Sequence, residues 1–457
     1  MSRSLELADR ALRAAEGDAV EAVVQAEQSG FARFAGSEVH QPTLIDDETV
    51  FLRVVRGTKV GAAAGNRVDD DGLRELAARA SAAAEASPDD PDFPGLAGPA
   101  ELPEIEGYDA ETADLGAENQ AQLAAAAIGA AGDVPIYGFF TSGTATVAVA
   151  TSDGLAVEQT STDATTLVLA ATDGASGYAE QTAWRVSDVD PESVARAAVE
   201  KASRTHGAVE IEPGTYRAVL EPYAIGELLQ YFSFDAFSGL ALLEERSYLS
   251  GRLDEQAFDK AVSITDDALD PRGLPKQFDF EGRPKDRVEL VASGVLRGVV
   301  WDSASAARAR ASGVEADSTG HAPPPALRRW GPLPFALSLA GGDAESVDEL
   351  AEHVGDGIYV TRLHYLGIVE PRQGILTGMT RDGTFRIRDG KVAEPLVNLR
   401  FTVAVPDLLA DVPGLTREQT LANEAAFYDE RFAFGALVPA LATARFEVTG
   451  IGGPPGI

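Results

Sequence analysis

The sequence contains no cysteine. Disulfides, thiolate metal ligands and a cysteine nucleophile are excluded with it. Histidine is scarce as well. His40, His206, His321, His353 and His364 are the full complement, so a zinc site would have to draw on these and on carboxylates. Lysine occurs only at Lys59, Lys201, Lys260, Lys276, Lys285 and Lys391, and acid exceeds base by 72 to 38 for a net charge of −34. Such a surface repels nucleic acid and anionic membrane, and neither is expected as a partner. No apolar run approaches the ~20 residues needed to span a bilayer. Residues 1–17 read as an amphipathic helix with Leu5, Ala8, Leu12 and Ala15 on one side, but they include Glu6, Asp9 and Glu16. An export signal does not carry those acids, so the expected location is the cytoplasm. The acids are spread along the whole chain, which reads as a surface kept hydrated and screened in concentrated salt, as in a halophile.

What is present organises an α+β protein of several units, because 457 residues exceed one ordinary core. Residues 1–87 form an N-terminal α/β unit. It has a strand over 21–26, a turn at 33–37, a hairpin signal at Arg56-Gly57-Thr58 and an aspartate-capped helix over 69–86. Pro88, Pro91, Pro94, Pro99 and Pro103 mark residues 88–111 as an extended linker. Residues 112–208 form a middle unit of helix plus sheet. Its helices are expected over 115–131 and 190–205, its strands over 136–141, 145–151, 156–171 and 178–186, and a polar turn at Thr141-Ser142-Gly143-Thr144. Residues 214–457 are strand-rich, with hairpin signals at Ala292-Ser293-Gly294, Arg381-Asp382-Gly383 and Arg388-Asp389-Gly390, a polar turn at 377–380, and helices over 223–232, 303–311 and 346–354. No short-period repeat is present.

The C-terminal unit carries a family resemblance. Ser318-Thr319-Gly320-His321-Ala322 resembles the STGHA segment of PmbA-type subunits. Gly294-Val295-Leu296-Arg297-Gly298, Ser305-Ala306-Ala307-Arg308, the segment Gly355 to Thr361, Thr377-Gly378 and Ile387 to Lys391 with Pro395 follow that family's pattern in order and spacing. Arg33-Phe34 and Leu52-Arg53-Val54 fit it near the N-terminus. The chain thus resembles the TldD/PmbA family of heteromeric metallopeptidases. In the TldD-type subunit, the resemblance implies, an HExxxH helix holds zinc through two histidines and uses its glutamate as base. Here the matching helix follows Val219-Leu220-Glu221-Pro222 and places Gln230, Tyr231 and Asp235 at those positions. Gln is a poor zinc ligand, and Tyr is no carboxylate base at neutral pH.

The resemblance therefore implies a PmbA/TldE-like subunit with no catalytic residue and no metal of its own. Zinc is expected in a TldD-type partner, and unfolded peptide is the expected substrate of the pair. His321, with Thr319 and Gly320, sits in a glycine-flanked loop that could line a cavity or hold peptide. A His353/His364 pair would need a carboxylate such as Glu370 to hold a metal. Glu221, Glu227, Asp235, Glu244 and Glu245 read as solvated acids of an acidic chain. Two other readings stand beside this one: a self-sufficient homodimeric peptidase with an unrecognised site, and a peptide-binding protein without catalysis.

Overall fold

The computed structural model describes residues 2–423 and 431–456. Seventeen named strands are found among them. Six form the first sheet: β1 (Ala19–Ala35), β2 (Glu38–Arg56), β3 (Lys59–Gly65), β4 (Ile136–Thr151), β5 (Ala156–Thr172) and β6 (Ala175–Ala183), in the order β3-β2-β1-β4-β5-β6. This sheet is built twice over from one plan. A helix (Arg3–Ala14), the meander β1-β2-β3 and a second helix (Asp70–Ala86) are followed by a helix (Ala117–Ala130), the meander β4-β5-β6 and a closing helix (Pro191–Arg204). The halves join where β1 runs antiparallel to β4, from Glu21 opposite Thr151 to Phe34 opposite Gly138. One sheet thereby runs through both sequence units.

The four helices lie on one face, and local signals start three of them. Asp69 accepts from the Gly72 amide at 2.7 Å, Asp190 caps the helix that Pro191 opens, and Ser2 caps the first. Their apolar stripes bury Leu7, Ala11, Leu73, Leu76 and Ala80 over one half-sheet, and Ala124, Ala127, Val194 and Ala198 over the other. The opposite face is covered by the C-terminal unit, whose Phe278 and Phe280 pack on Val23, Val149 and Leu155.

The C-terminal unit holds β7 (Gly214–Leu220), β8 (Ile264–Asp266), β9 (Val288–Ala292), β10 (Val295–Leu296), β11 (Leu337–Leu339), β12 (Gly357–Glu370), β13 (Ile375–Arg388), β14 (Lys391–Leu396), β15 (Leu399–Ala404), β16 (Gly414–Asn423) and β17 (Gly435–Ile451). The order β17-β15-β13-β12-β7 is closed by a β17–β7 pairing, so five strands form a ring. The helix Pro222–Ala236 packs Ile225, Leu228, Leu229 and Phe232 into the main core of this unit, with Phe401 and Phe446 from the strands. Among the described residues no helix is long and apolar enough to cross a membrane.

The α+β reading agrees with this architecture, but several polar stretches fold differently from the expectation. Residues 33–35 are strand rather than turn, and β2 extends back to Glu38. Thr141-Ser142-Gly143-Thr144 is no turn but the buried middle of β4. Gly143 is needed there because a Cβ would stand 2.3 Å from the Gln28 carbonyl of β1. Residues 377–380 lie inside β13, and so do Arg381-Asp382-Gly383, which form no hairpin. There Asp382 and Gly383 take φ of 55° and 138° beside a register shift at Val360/Arg362, the mark of a bulge. The hairpins at Arg56-Gly57-Thr58, Ala292-Ser293-Gly294 and Arg388-Asp389-Gly390 form as expected.

Candidate functional site

The helix Pro222–Ala236 carries Gln230, Tyr231 and Asp235, the residues expected to match the metal motif, and it is regular throughout. At 3.6 residues per turn, positions five apart stand about 140° apart around the axis. Gln230 and Asp235 accordingly leave the helix in different directions. Gln230 is buried, and its amide nitrogen donates to the Pro334 carbonyl at 2.9 Å. Its amide oxygen is buried and has no hydrogen-bond partner among the described residues. Asp235 is paired with Arg246, which also holds Glu244 at 2.8 Å. The Tyr231 ring leans on Phe234, with centroids 5.9 Å apart. An amide bonded to Pro334, a phenol and a carboxylate already paired with Arg246 are not the donors zinc prefers, so these residues as arranged do not fit the ion. Among the described residues no group of three or more His, Asp or Glu is placed to hold a metal. His364 lies in β12 against the Tyr365 ring, and His353 ends the helix Val347–Val354.

His321 is fully buried. Its Nε2 meets Asp266 Oδ1 at 2.9 Å, and its Nδ1 meets the Thr319 hydroxyl at 2.9 Å. Burial, then the nearby Lys285 charge, pushes the imidazole below its ordinary pKa. Burial pushes the Asp266 carboxyl up, but His321 and Lys285 pull it further down. A neutral ring with its proton on Nε2, donating to an ionised Asp266, satisfies both groups. Asp266 Oδ2 accepts from the Ala336 amide at 2.9 Å. Gly320 has φ +73°, and a Cβ on it would stand 2.1 Å from the Pro284 carbonyl. The loop is thus clamped against residues 284–286, and its Ala322 lines an interior pocket.

A second group of buried charge lies where the first sheet meets the ring. Glu180 on β6 accepts from the Tyr178 hydroxyl at 2.6 Å and from the Asn423 amide at 2.9 Å. Arg362 pairs with Asp382 at 2.7 Å and stacks 3.8 Å over the Tyr178 ring. Glu227, one turn before Gln230, faces this group. Burial raises its carboxyl to about 7, against the pull of Arg362 and with a further push from Glu180. Glu221 is held by Lys201 at 2.6 Å and by the Tyr359 hydroxyl. Of the acids expected to be solvated, Glu221 and Glu227 belong to this interior, and Asp235, Glu244 and Glu245 pair with arginines nearer the surface.

The interior compartment is a pocket of about 40 Å³ between the open face of the first sheet and the C-terminal unit. Lys276, Lys285 and Asp279 line it, with Gln159 and Ser161 of β5 and a set of phenylalanines. Asp279 accepts from the amides of Glu281, Arg283 and Ala322, yet burial, with Glu281 nearby, raises it to about 7. Sequence reasoning passed over Lys276, Lys285, Asp266 and Arg362. The one signal available was scarcity: two of six lysines fall nine residues apart, around Phe278-Asp279-Phe280-Glu281.

Comparison with known proteins places this architecture. The PmbA/TldA metallopeptidase C-terminal domain matches residues 213–450, domain 1 matches residues 20–84 and the central domain matches residues 108–205. A metalloprotease of Methanothermobacter thermautotrophicus is 28% identical over 228 residues, 50% of this chain and 48% of that protein. A protein of Methanocaldococcus jannaschii is 30% identical over 152 residues, 33% of this chain and 36% of that protein. This chain therefore matches about half or less of each relative's length. The crystal structure of TldE from Thermococcus kodakarensis superposes with a TM-score of 0.84 at 20% identity, over 97% of this chain and 99% of that one, a likeness of fold. With all three domains matched in order and the C-terminal match alone covering more than half of the sequence, the chain belongs to the PmbA/TldD metallopeptidase family.

Proposed function

We propose that this chain is the PmbA/TldE-like, zinc-free subunit of a TldD/PmbA-type peptidase. It pairs with a TldD-type subunit that carries HExxxH, and the pair degrades or processes unfolded peptides in the cytoplasm. One observation carries the reading. At the three positions of the metal motif this chain has Gln230, Tyr231 and Asp235, and their side chains turn to Pro334, Phe234 and Arg246 instead of to a common centre. The fold likeness to TldE supports it. In this reading the chain contributes walls and peptide-binding surface, and the metal-bound water that attacks the peptide belongs to the partner.

The test is elemental analysis followed by reconstitution. After mild dialysis the purified chain should hold far less than one zinc. Mixed with an HExxxH-bearing homologue from the same source, it should raise hydrolysis of a disordered substrate, with the homologue's glutamate mutated as the blank. About one zinc per chain, or full activity from this chain alone, would instead establish the self-sufficient homodimer.

A further inference from the structure

Interior cations in this protein are matched. Arg53 and Arg328 each meet Glu21 at 2.6 Å, Arg431 meets Asp163 at 2.5 Å, Arg362 meets Asp382 at 2.7 Å and Lys201 meets Glu221 at 2.6 Å. The two lysines of the interior pocket break that pattern. Lys285 is 9% exposed, and among the described residues its ammonium makes no ion pair or hydrogen bond. Lys276, half-buried, reaches only the Ser161 hydroxyl, at 3.3 Å. The acids nearest them are already engaged. Asp163, which faces Lys276, is paired with Arg431, Asp266 is taken up by His321 and the Ala336 amide, and Asp279 by three backbone amides. Burial accordingly holds both ammoniums below the ordinary lysine pKa, Lys276 at about 8.

An unpaired ammonium inside a protein is expensive, and an anion in the adjoining space removes the cost. The pocket volume of about 40 Å³ is near that of one or two waters, enough for a small anionic group whose larger remainder would lie outside it. Two ammoniums offset by the ionised Asp266 beside Lys285, with the Asp279 carboxyl raised toward neutrality by burial, suit a single negative charge. Phe278, Phe335, Phe432 and Phe434 in the wall suit an apolar substituent on that anion, which inorganic ions lack. We propose that the pocket enclosed by Lys276, Lys285, Ser161 and these phenylalanines is a binding site for a carboxylate, either a free small monocarboxylate or the terminal carboxylate of a peptide. The site belongs to this chain and holds whether or not a zinc subunit joins it.

The experiment uses the full-length protein at constant ionic strength, because the acidic surface responds to salt. Chloride is replaced stepwise by acetate, and in parallel a short phenylalanine-ending peptide is titrated as the free acid and as the C-terminal amide. Binding is read by calorimetry and by the melting temperature. Saturable binding of acetate, or of the peptide acid but not its amide, is expected; the first points to a free carboxylate and the second to a chain terminus. Lys285→Met and Lys276→Met should each weaken that binding at least ~10-fold, about 1.4 kcal/mol. Lys285→Met should also melt no lower than the wild type without ligand, since it removes an unpaired buried charge. Two variants are used so that a folding failure in one leaves the other to decide. Equal binding of acid and amide, unchanged affinity in a folded variant, or no saturable binding of either carboxylate overturns the proposal.

Discussion

At the scale of single residues, burial sets the role of a polar group: it keeps the His321 imidazole below its ordinary pKa between Asp266 and Thr319, and it raises the Glu227 carboxyl to about 7. Ser318 to Ala322 stood out as a motif, and of its residues Ala322 lines the interior pocket. Yet His321 itself is sealed between Asp266 and Thr319, fifty-five and two residues away. A partner that distant has no local signature, so pattern alone could not supply Asp266. Glu227 was legible only as one more acid on an acidic chain. Its carboxyl is raised to about 7 by burial, and this gives a pH-dependent prediction with a definite sign. An unfolded glutamate ionises near 4.5, so between pH 4.5 and 7 the folded chain holds a proton that the unfolded chain has lost. Stability from this site is complete below about 4.5 and is lost as pH rises through about 7. Glu227→Gln should therefore raise the melting temperature relative to wild type at pH 8, by the equivalent of roughly 1–3 kcal/mol, and change little at pH 5. Parallel melts at the two pH values check it; an equal effect at both would show that the carboxyl titrates as in water.

At the scale of elements, helices were read well because their start signals are local. Asp69, Asp190, Asp302 and Ser346 each accept from an amide two or three residues ahead. Strands were read well only where apolar alternation and a turn coincided. Gln28 opposite Thr144, and Ser29 opposite Gly143, are polar or small residues held in β structure by pairing between segments over a hundred residues apart. The metal-motif helix shows both sides. Its core positions Ile225, Leu228 and Leu229 were legible from spacing, whereas the Gln230 bond to Pro334 was not. The two classes of position should part on mutation. Leu228→Asp buries an unpaired carboxylate and should cost more than about 4 kcal/mol, so little folded chain should be recovered. Gln230→Ala with Tyr231→Ala removes one hydrogen bond and some apolar contact, and should leave a folded, slightly destabilised subunit that keeps most of its stimulation of an HExxxH-bearing partner. If the folded, paired double variant loses that stimulation, this helix takes part in catalysis.

At the scale of the molecule, the charge imbalance has a definite location. Inside, most charges stand in matched groups, as in Glu21 with Arg53 and Arg328 or Asp163 with Arg431, and the interior lysines Lys276 and Lys285 are balanced in number by the buried acids Glu227 and Asp279. The net −34 therefore lies on the outside. Even there arginine is shared: Arg67 alone stands within ion-pair distance of Asp69, Asp71 and Glu75. Unfolding lets these charges move apart, so their mutual repulsion weighs on the compact state more than on the open one. Salt weakens repulsion over distances beyond the Debye length, about 10 Å at 0.1 M and about 3 Å at 1 M. Most of the relief should come as the screening length falls below the spacing of surface charges, with little further gain at higher salt. The melting temperature should rise by on the order of 5–10 °C between low salt and 1 M sodium chloride, and potassium chloride should do the same. That equivalence separates screening from the general strengthening of apolar burial by strongly excluded ions, which depends on the ion and keeps growing with concentration. Melts that stay flat from low to molar salt would mean that the surface acids are far enough apart not to interact, and the reading of this surface as one adapted to concentrated salt would fall with them.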